Sequence, residues 1–133
     1  MPKLNSFTKL FTLFIATAVI ISTWATSVNA QRQPNCNNPH QNNLEIKECI
    51  RLRYEAADRR LNEVYQQLIS KLSREERSLL SEAQKGWIQL KENNCHFEVY
   101  GSRMGTGYRG FLNECRERMT KQRTGELEKY LQR

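Results

Sequence analysis

Three stretches of this chain place apolar residues at helical spacing, and none alternates with the two-residue period of a strand. In the first, Leu44 to Leu72, the residues Ile50, Tyr54, Ala57, Leu61, Val64, Tyr65, Leu68 and Leu72 share a face, with no Gly or Pro between them. Asn42 and Glu45 stand where the two halves of a capping box belong, so the helix starts there. Glu55 and Arg59 are spaced as a favourable i,i+4 pair on its outer face. The second stretch opens on another capping box, Ser73-Arg74-Glu75-Glu76, immediately after the first helix stops. Its expected stripe is Leu80, Ala83, Trp87 and Leu90, running on to about Cys95. So short a turn makes the two helices antiparallel neighbours. Equal rise per residue then puts Asn62 level with Gln84 or Lys85, and Asp58 level with Trp87 to Gln89. A glycine-punctuated loop from Gly101 to Gly110 follows. The third helix carries Leu112, Cys115, Met119, Leu127 and Tyr130 near one face, and Gly125 weakens its far end by about 1 kcal/mol relative to Ala. The expected fold class is all-α: an antiparallel helical hairpin plus a third helix.

The N-terminus breaks this pattern. Lys3 and Lys9 precede an almost unbroken apolar run from Leu10 to Ile21, and Val28-Asn29-Ala30 offers the residues a signal peptidase reads. The run is about half the roughly 20 residues that cross a bilayer, so a cleavable signal over residues 1–30 is expected rather than a retained anchor. Gln33-Pro34-Asn35 before Cys36 lacks the small apolar context of a lipid-attachment cysteine. Residues 31–133 are then a single helical domain, periplasmic or secreted, with no integral membrane span, and its first part, Gln31 to Asn43, reads as an irregular arm.

Size and charge narrow the picture further. A domain of the remaining 103 residues buries somewhat over 60% of its unfolded surface, a marginal core that covalent staples would help. The four cysteines, Cys36, Cys49, Cys95 and Cys115, all lie downstream of the signal. Pairing Cys95 with Cys115 clamps the glycine loop, and pairing Cys36 with Cys49 ties the arm to the first helix, giving two staples. The rival pairing joins Cys49 to Cys95, which the hairpin register puts at similar height. A zinc site is disfavoured, because no C-x-x-C spacing occurs and exported thiols oxidise. With Lys3 and Lys9 removed, the net charge falls from +7 to +5. That surface suits anionic partners such as envelope polymers, although a mixed, solvated face accounts for so small an excess.

Catalytic patterns are missing. The chain has two histidines, His40 and His96, and one aspartate, Asp58. No H-E-x-x-H, G-x-S-x-G or Walker-type loop occurs, and helical spacing nominates no carboxylate pair for glycoside hydrolysis. His96, beside a cysteine and without an orienting partner, reads as a surface or packing residue. Arg51, Arg53, Arg59 and Arg60 alternate with Glu48, Glu55 and Glu63, which argues against a nucleic-acid surface. A non-enzyme without cofactor or metal is expected.

Polar residues inside the helical stripes carry a resemblance. Asp58-Arg59-Arg60-Leu61-Asn62-Glu63-Val64-Tyr65 is followed by Ala83-Gln84-Lys85-Gly86-Trp87, then Cys95, Gly101-Ser102, Cys115, Thr120-Lys121-Gln122-Arg123 and Leu127. In this order, from Cys36 to Leu131, the chain resembles the LprI-type lysozyme-inhibitor family, small exported bacterial helical domains. The resemblance implies binding and inhibition of lysozyme, which cleaves peptidoglycan. Two positions depart from the pattern: Lys91 replaces an arginine four residues after the tryptophan, and Glu92 replaces an aspartate. The namesake's lipid-attachment cysteine has no counterpart.

Two groups of candidate residues follow. Asp58, Asn62, Tyr65, Gln84, Trp87, Thr120 and Arg123 are placed by helical phase to form a polar network at the three-helix junction, with Asp58 and Arg123 as a pair, and its role would be to specify packing. The clamped loop suits insertion into an enzyme cleft. There Arg103, flanked by Tyr100 and Tyr108, is the expected probe for the two carboxylates of a lysozyme-type site, although a plain connector reads the same way. A +5 chain is repelled at long range by basic lysozymes, so any complex must rely on local complementarity. The alternative is a non-catalytic envelope module that binds anionic polymer or a protein partner through its basic surface.

Overall fold

The computed structural model describes residues 34–133; the expected signal peptide and its cleavage site lie outside them. Asn42 starts the first helix as its sequence context requires. Its side-chain oxygen accepts from the backbone N–H groups of Leu44 and Glu45 at 3.0 Å, while the Glu45 carboxylate accepts from the Asn42 N–H at 3.1 Å. α1 runs Asn43–Lys71. Only Leu72 and Ser73 separate it from α2, Arg74–Glu98, which opens on the second capping box: the Glu76 N–H donates to Ser73 Oγ at 3.3 Å, and the Ser73 N–H to Glu76 Oε2 at 2.8 Å. A 3-10 turn, Tyr100–Ser102, leads to α3, Tyr108–Leu131. The described residues form no strand.

The three helices run up, down and up. Tyr54 of α1 meets Lys91 of α2, a pair on the antiparallel register expected from a turn at Ser73. Along α3, Ile50 faces Gly110, Arg53 reaches Glu117 and Arg60 reaches Glu128, so α1 and α3 are parallel. This pairing is the closest in the fold. Small or β-branched side chains, Ala57, Thr120 and Thr124, are buried along it and let the two backbones approach. α2 reaches α1 through longer side chains.

Its inward face differs from the expected stripe. Leu80, Trp87 and Cys95 pack inward as expected, but Ala83 and Leu90 face solvent, and Lys91 takes an inward position. The disulfide from Cys95 to α3 and the reach of Lys91 to α1 set this rotation. On α3, Leu112, Cys115 and Leu127 are buried as expected; Tyr130 is exposed and Leu131 packs in its place. On the outer face of α1, Glu55 pairs with Arg51, which also binds Glu48, rather than with Arg59.

Two apolar clusters hold the ends of the bundle. Leu61, Val64 and Leu68 pack on Leu127, ringed by Tyr65, Leu72, Leu80, Trp87 and Leu131. At the other end, Cys95, Val99, Leu112 and Cys115 pack together beside Tyr108 and Met119. Two disulfides close the structure, Cys36–Cys49 and Cys95–Cys115, so the rival pairing with Cys95 is not formed and no cysteine is left as a thiolate for zinc.

Polar groups occupy the level between the clusters. Lys91 is only 4% exposed. Its ammonium donates to Tyr54 Oη at 3.1 Å, lies 3.5 Å from the Glu92 carboxylate and stands 5.3 Å from the Trp87 ring centroid. Glu92 in turn binds Arg116 of α3. One chain of contacts, Tyr54–Lys91–Glu92–Arg116, thus ties all three helices. A buried ammonium without partners would be very costly, so each contact matters more than a surface one would.

Two stability predictions follow from this arrangement. Tyr54→Phe removes the hydroxyl that accepts from a buried charge, and should cost about 1.5–3 kcal/mol in urea unfolding; an unchanged midpoint would show that the contact carries nothing. Replacing Cys95 and Cys115 together by Ala releases a clamp over a span of 20 residues. The same measurement should then show a loss of about 3 kcal/mol.

Candidate functional site

The α2–α3 connector is a chain of tight turns rather than an open loop. Ser102 N–H donates to Val99 O at 2.9 Å, Arg103 N–H to Tyr100 O at 3.2 Å, Gly105 N–H to Ser102 O at 2.8 Å, and Tyr108 N–H to Gly105 O at 3.2 Å. Its ends are held twice. The Cys95–Cys115 disulfide, at 0% and 2% exposure, lies beneath it, and His96 Nδ1 hydrogen-bonds Tyr108 Oη at 2.7 Å. The glycine-rich segment is also shorter than expected, because α3 already begins at Tyr108 and takes Gly110 into its buried side.

The three loop candidates divide. Arg103 lies over the Tyr100 ring, with Cζ 4.2 Å from its centroid, and its Nη1 donates to Tyr100 O at 3.3 Å. Both side chains are exposed, and Arg103 has no carboxylate partner among the described residues. Tyr108 stands apart from them, half-buried against the disulfide cluster with its hydroxyl engaged by His96. Met104, 91% exposed, belongs beside the exposed pair; its isolation between arginine and glycine offered no periodic signal.

Next to the connector, a cleft of about 700 Å³ runs along α3, bordered by Glu98 at the end of α2, Ser102 of the connector and Arg53 of α1. Its charges are matched. Arg118 pairs with Glu98 at 2.6 Å, and Glu117 accepts from Lys121 at 2.6 Å and from Arg53 Nε at 3.2 Å. Burial pushes the Glu117 carboxyl up, but the hydrogen bonds from Lys121 and Arg53 outweigh it and leave the pKa below its ordinary value. Among the described residues, no group of three or more His, Cys, Asp or Glu side chains is placed to hold a metal ion.

The expected polar network is present only in pieces. Asn62 Nδ2 donates to Asp58 Oδ2 at 3.3 Å along α1, and Arg123 Nε donates to Gln84 Oε1 at 3.1 Å between α3 and α2. Arg123 takes Glu126 as its carboxylate at 3.0 Å, so the Asp58–Arg123 pair is not formed. Thr120 is fully buried, with its hydroxyl unpartnered. Tyr65 and Trp87 pack against the Leu61–Leu127 cluster. The network that does join three helices uses Lys91 and Glu92.

A stapled helical bundle with a rigidly held, exposed connector is the class of protein that this geometry defines. The family described as lysozyme inhibitor LprI matches residues 36–127, and the chain belongs to that family. An uncharacterized protein of Rhizobium meliloti (strain 1021) is similar, at 24% identity over 118 residues that cover 78% of this chain and 84% of the relative. No solved structure matches.

The acid limb of the stability curve tests the Glu117 cluster. A carboxylate whose pKa is depressed on folding contributes stability that is complete above its unfolded value, near 4.3, and lost as the pH falls through the folded value. Thermal midpoints of the wild type should therefore exceed those of Glu117→Gln at pH 7, and the gap should narrow below about pH 4. A gap independent of pH would contradict that assignment.

Proposed function

We propose that this chain is an exported lysozyme-inhibitor-like protein that blocks a peptidoglycan-cleaving glycosidase with its α2–α3 connector. One observation carries the reading. Arg103, a cation with no carboxylate of its own, is stacked on Tyr100 at the tip of a connector whose ends are clamped. Glycosidase clefts of the lysozyme type hold two carboxylates, and a guanidinium presented there finds the partner it lacks at home. Because the turns are already hydrogen-bonded, little conformational entropy is lost on docking. Tyr100 and Met104 supply the apolar contact around the charge. Tyr108 acts from below as a support.

The anionic-polymer alternative has less in its favour. The cations lining the cleft beside the connector are each matched to a glutamate, which leaves no single-sign surface there.

Titration of the purified, oxidised chain against several lysozyme types, at low and physiological salt, tests the proposal. Saturable inhibition should survive physiological salt, and Arg103→Ala should weaken it by 10-fold or more, about 1.4 kcal/mol. Absence of inhibition with every lysozyme would sink the reading, and steep loss with salt would move it toward polymer binding.

A further inference from the structure

Among the described residues, ten large apolar side chains are exposed, and six of them lie at one end of the bundle. α1 begins there, α2 ends there, and the connector leads on to the start of α3. Leu44 and Ile46 come from α1, Phe97 from α2, Tyr100 and Met104 from the connector, and Phe111 from α3. Leu44 is 77% exposed, Phe97 83% and Met104 91%. With Tyr54 level with Lys91 and Ile50 level with Gly110, the four helical ones fall within about 11 Å along the bundle axis.

Charge at this end is unbalanced. The carboxylates there are already engaged: Glu45 by the Asn42 N–H, Glu48 by Arg51 and Glu98 by Arg118. Lys47, Arg103 and Arg109 are exposed, and none has a carboxylate partner among the described residues. The arm tied to α1 by Cys36–Cys49, residues 34–42, contains no acid.

We infer that this end is a docking surface for an anionic phospholipid bilayer. Apolar side chains that protrude from four separate elements suit a fluid phase, which moulds itself around each of them. Their spread of about 11 Å matches the depth to which peripheral apolar groups enter the boundary between headgroups and acyl chains. Tyr100 has the amphipathic ring that settles at headgroup level. The long stems of Lys47, Arg103 and Arg109 let their charges reach the lipid phosphates while the apolar tips go deeper. No helix among the described residues is long and apolar enough to cross a membrane, so the attachment is peripheral. Tyr100, Arg103 and Met104 also form the tip assigned to the glycosidase cleft, so bilayer and enzyme compete for one end of the chain.

Co-sedimentation of the purified, oxidised chain with lipid vesicles tests this without any lysozyme. The chain should bind vesicles of phosphatidylcholine with about one-third phosphatidylglycerol, and bind phosphatidylcholine alone at least about 10-fold more weakly. Phe97→Ser with Met104→Ser leaves the net charge unchanged and should weaken binding by about 10-fold or more. Lys47→Gln with Arg109→Gln should weaken it as much. Lys71→Gln with Arg74→Gln, an equal loss of charge at the opposite end, should change it by less than about 3-fold. All six positions are exposed, so thermal midpoints should stay near that of the wild type. Indifference to the Phe97 and Met104 pair would overturn lipid insertion in favour of charge alone, as would equal losses from the two charge pairs. Failure to bind anionic vesicles would also overturn it, and in a chain that still inhibits a lysozyme would give this end to the enzyme alone.

Discussion

A lysine ammonium held at the level where three helices meet constrains the rest of this structure. Lys91 is all but withdrawn from water, and only Tyr54, Glu92 and the Trp87 ring compensate it. Those partners come from two helices, and Glu92 recruits Arg116 from the third. Apolar clusters above and below tolerate small slides of helix on helix, because burial is non-directional. A buried charge with directional partners does not. The rotation of α2 follows from it, and so does the outward placement of the residues that α2 does not bury.

Much of the architecture was legible because it is governed by local chemistry. Both capping boxes fall at the residues that spell them, and the two-residue turn between them dictates the antiparallel hairpin. The register at Tyr54 and Lys91 follows from the turn alone. The observed cysteine pairing was one of two that the sequence offered, and spacing alone did not exclude the rival bond from Cys49 to Cys95.

The errors lie where a side chain's partner is distant in sequence. Leu90 and Ala83 are apolar and helically phased, but α2 has two such lines about 60° apart, and hydropathy alone merges them. Lys91 carries no apolar signal that would place it on the inward face, since lysine is almost never buried unless paired, and its pairing with Tyr54 spans 37 residues. The expected Asp58–Arg123 contact failed for the converse reason: Glu126, one turn away on α3, offers Arg123 a nearer carboxylate. Among the loop candidates, Tyr100 and Arg103 were separable from Tyr108 only once the His96 contact was known.

The burial of the Cys95–Cys115 bond has a consequence for how the chain is made and unmade. Sulfur atoms enclosed between packed helices are out of reach of an attacking thiolate. Oxidation must therefore happen while α2 and α3 are still apart, before the bundle closes over them. Once closed, reduction waits on an opening of the same helices, so the bond lasts as long as the native packing does. The connector above it inherits that persistence: its shape is protected by kinetics as well as by its own hydrogen bonds.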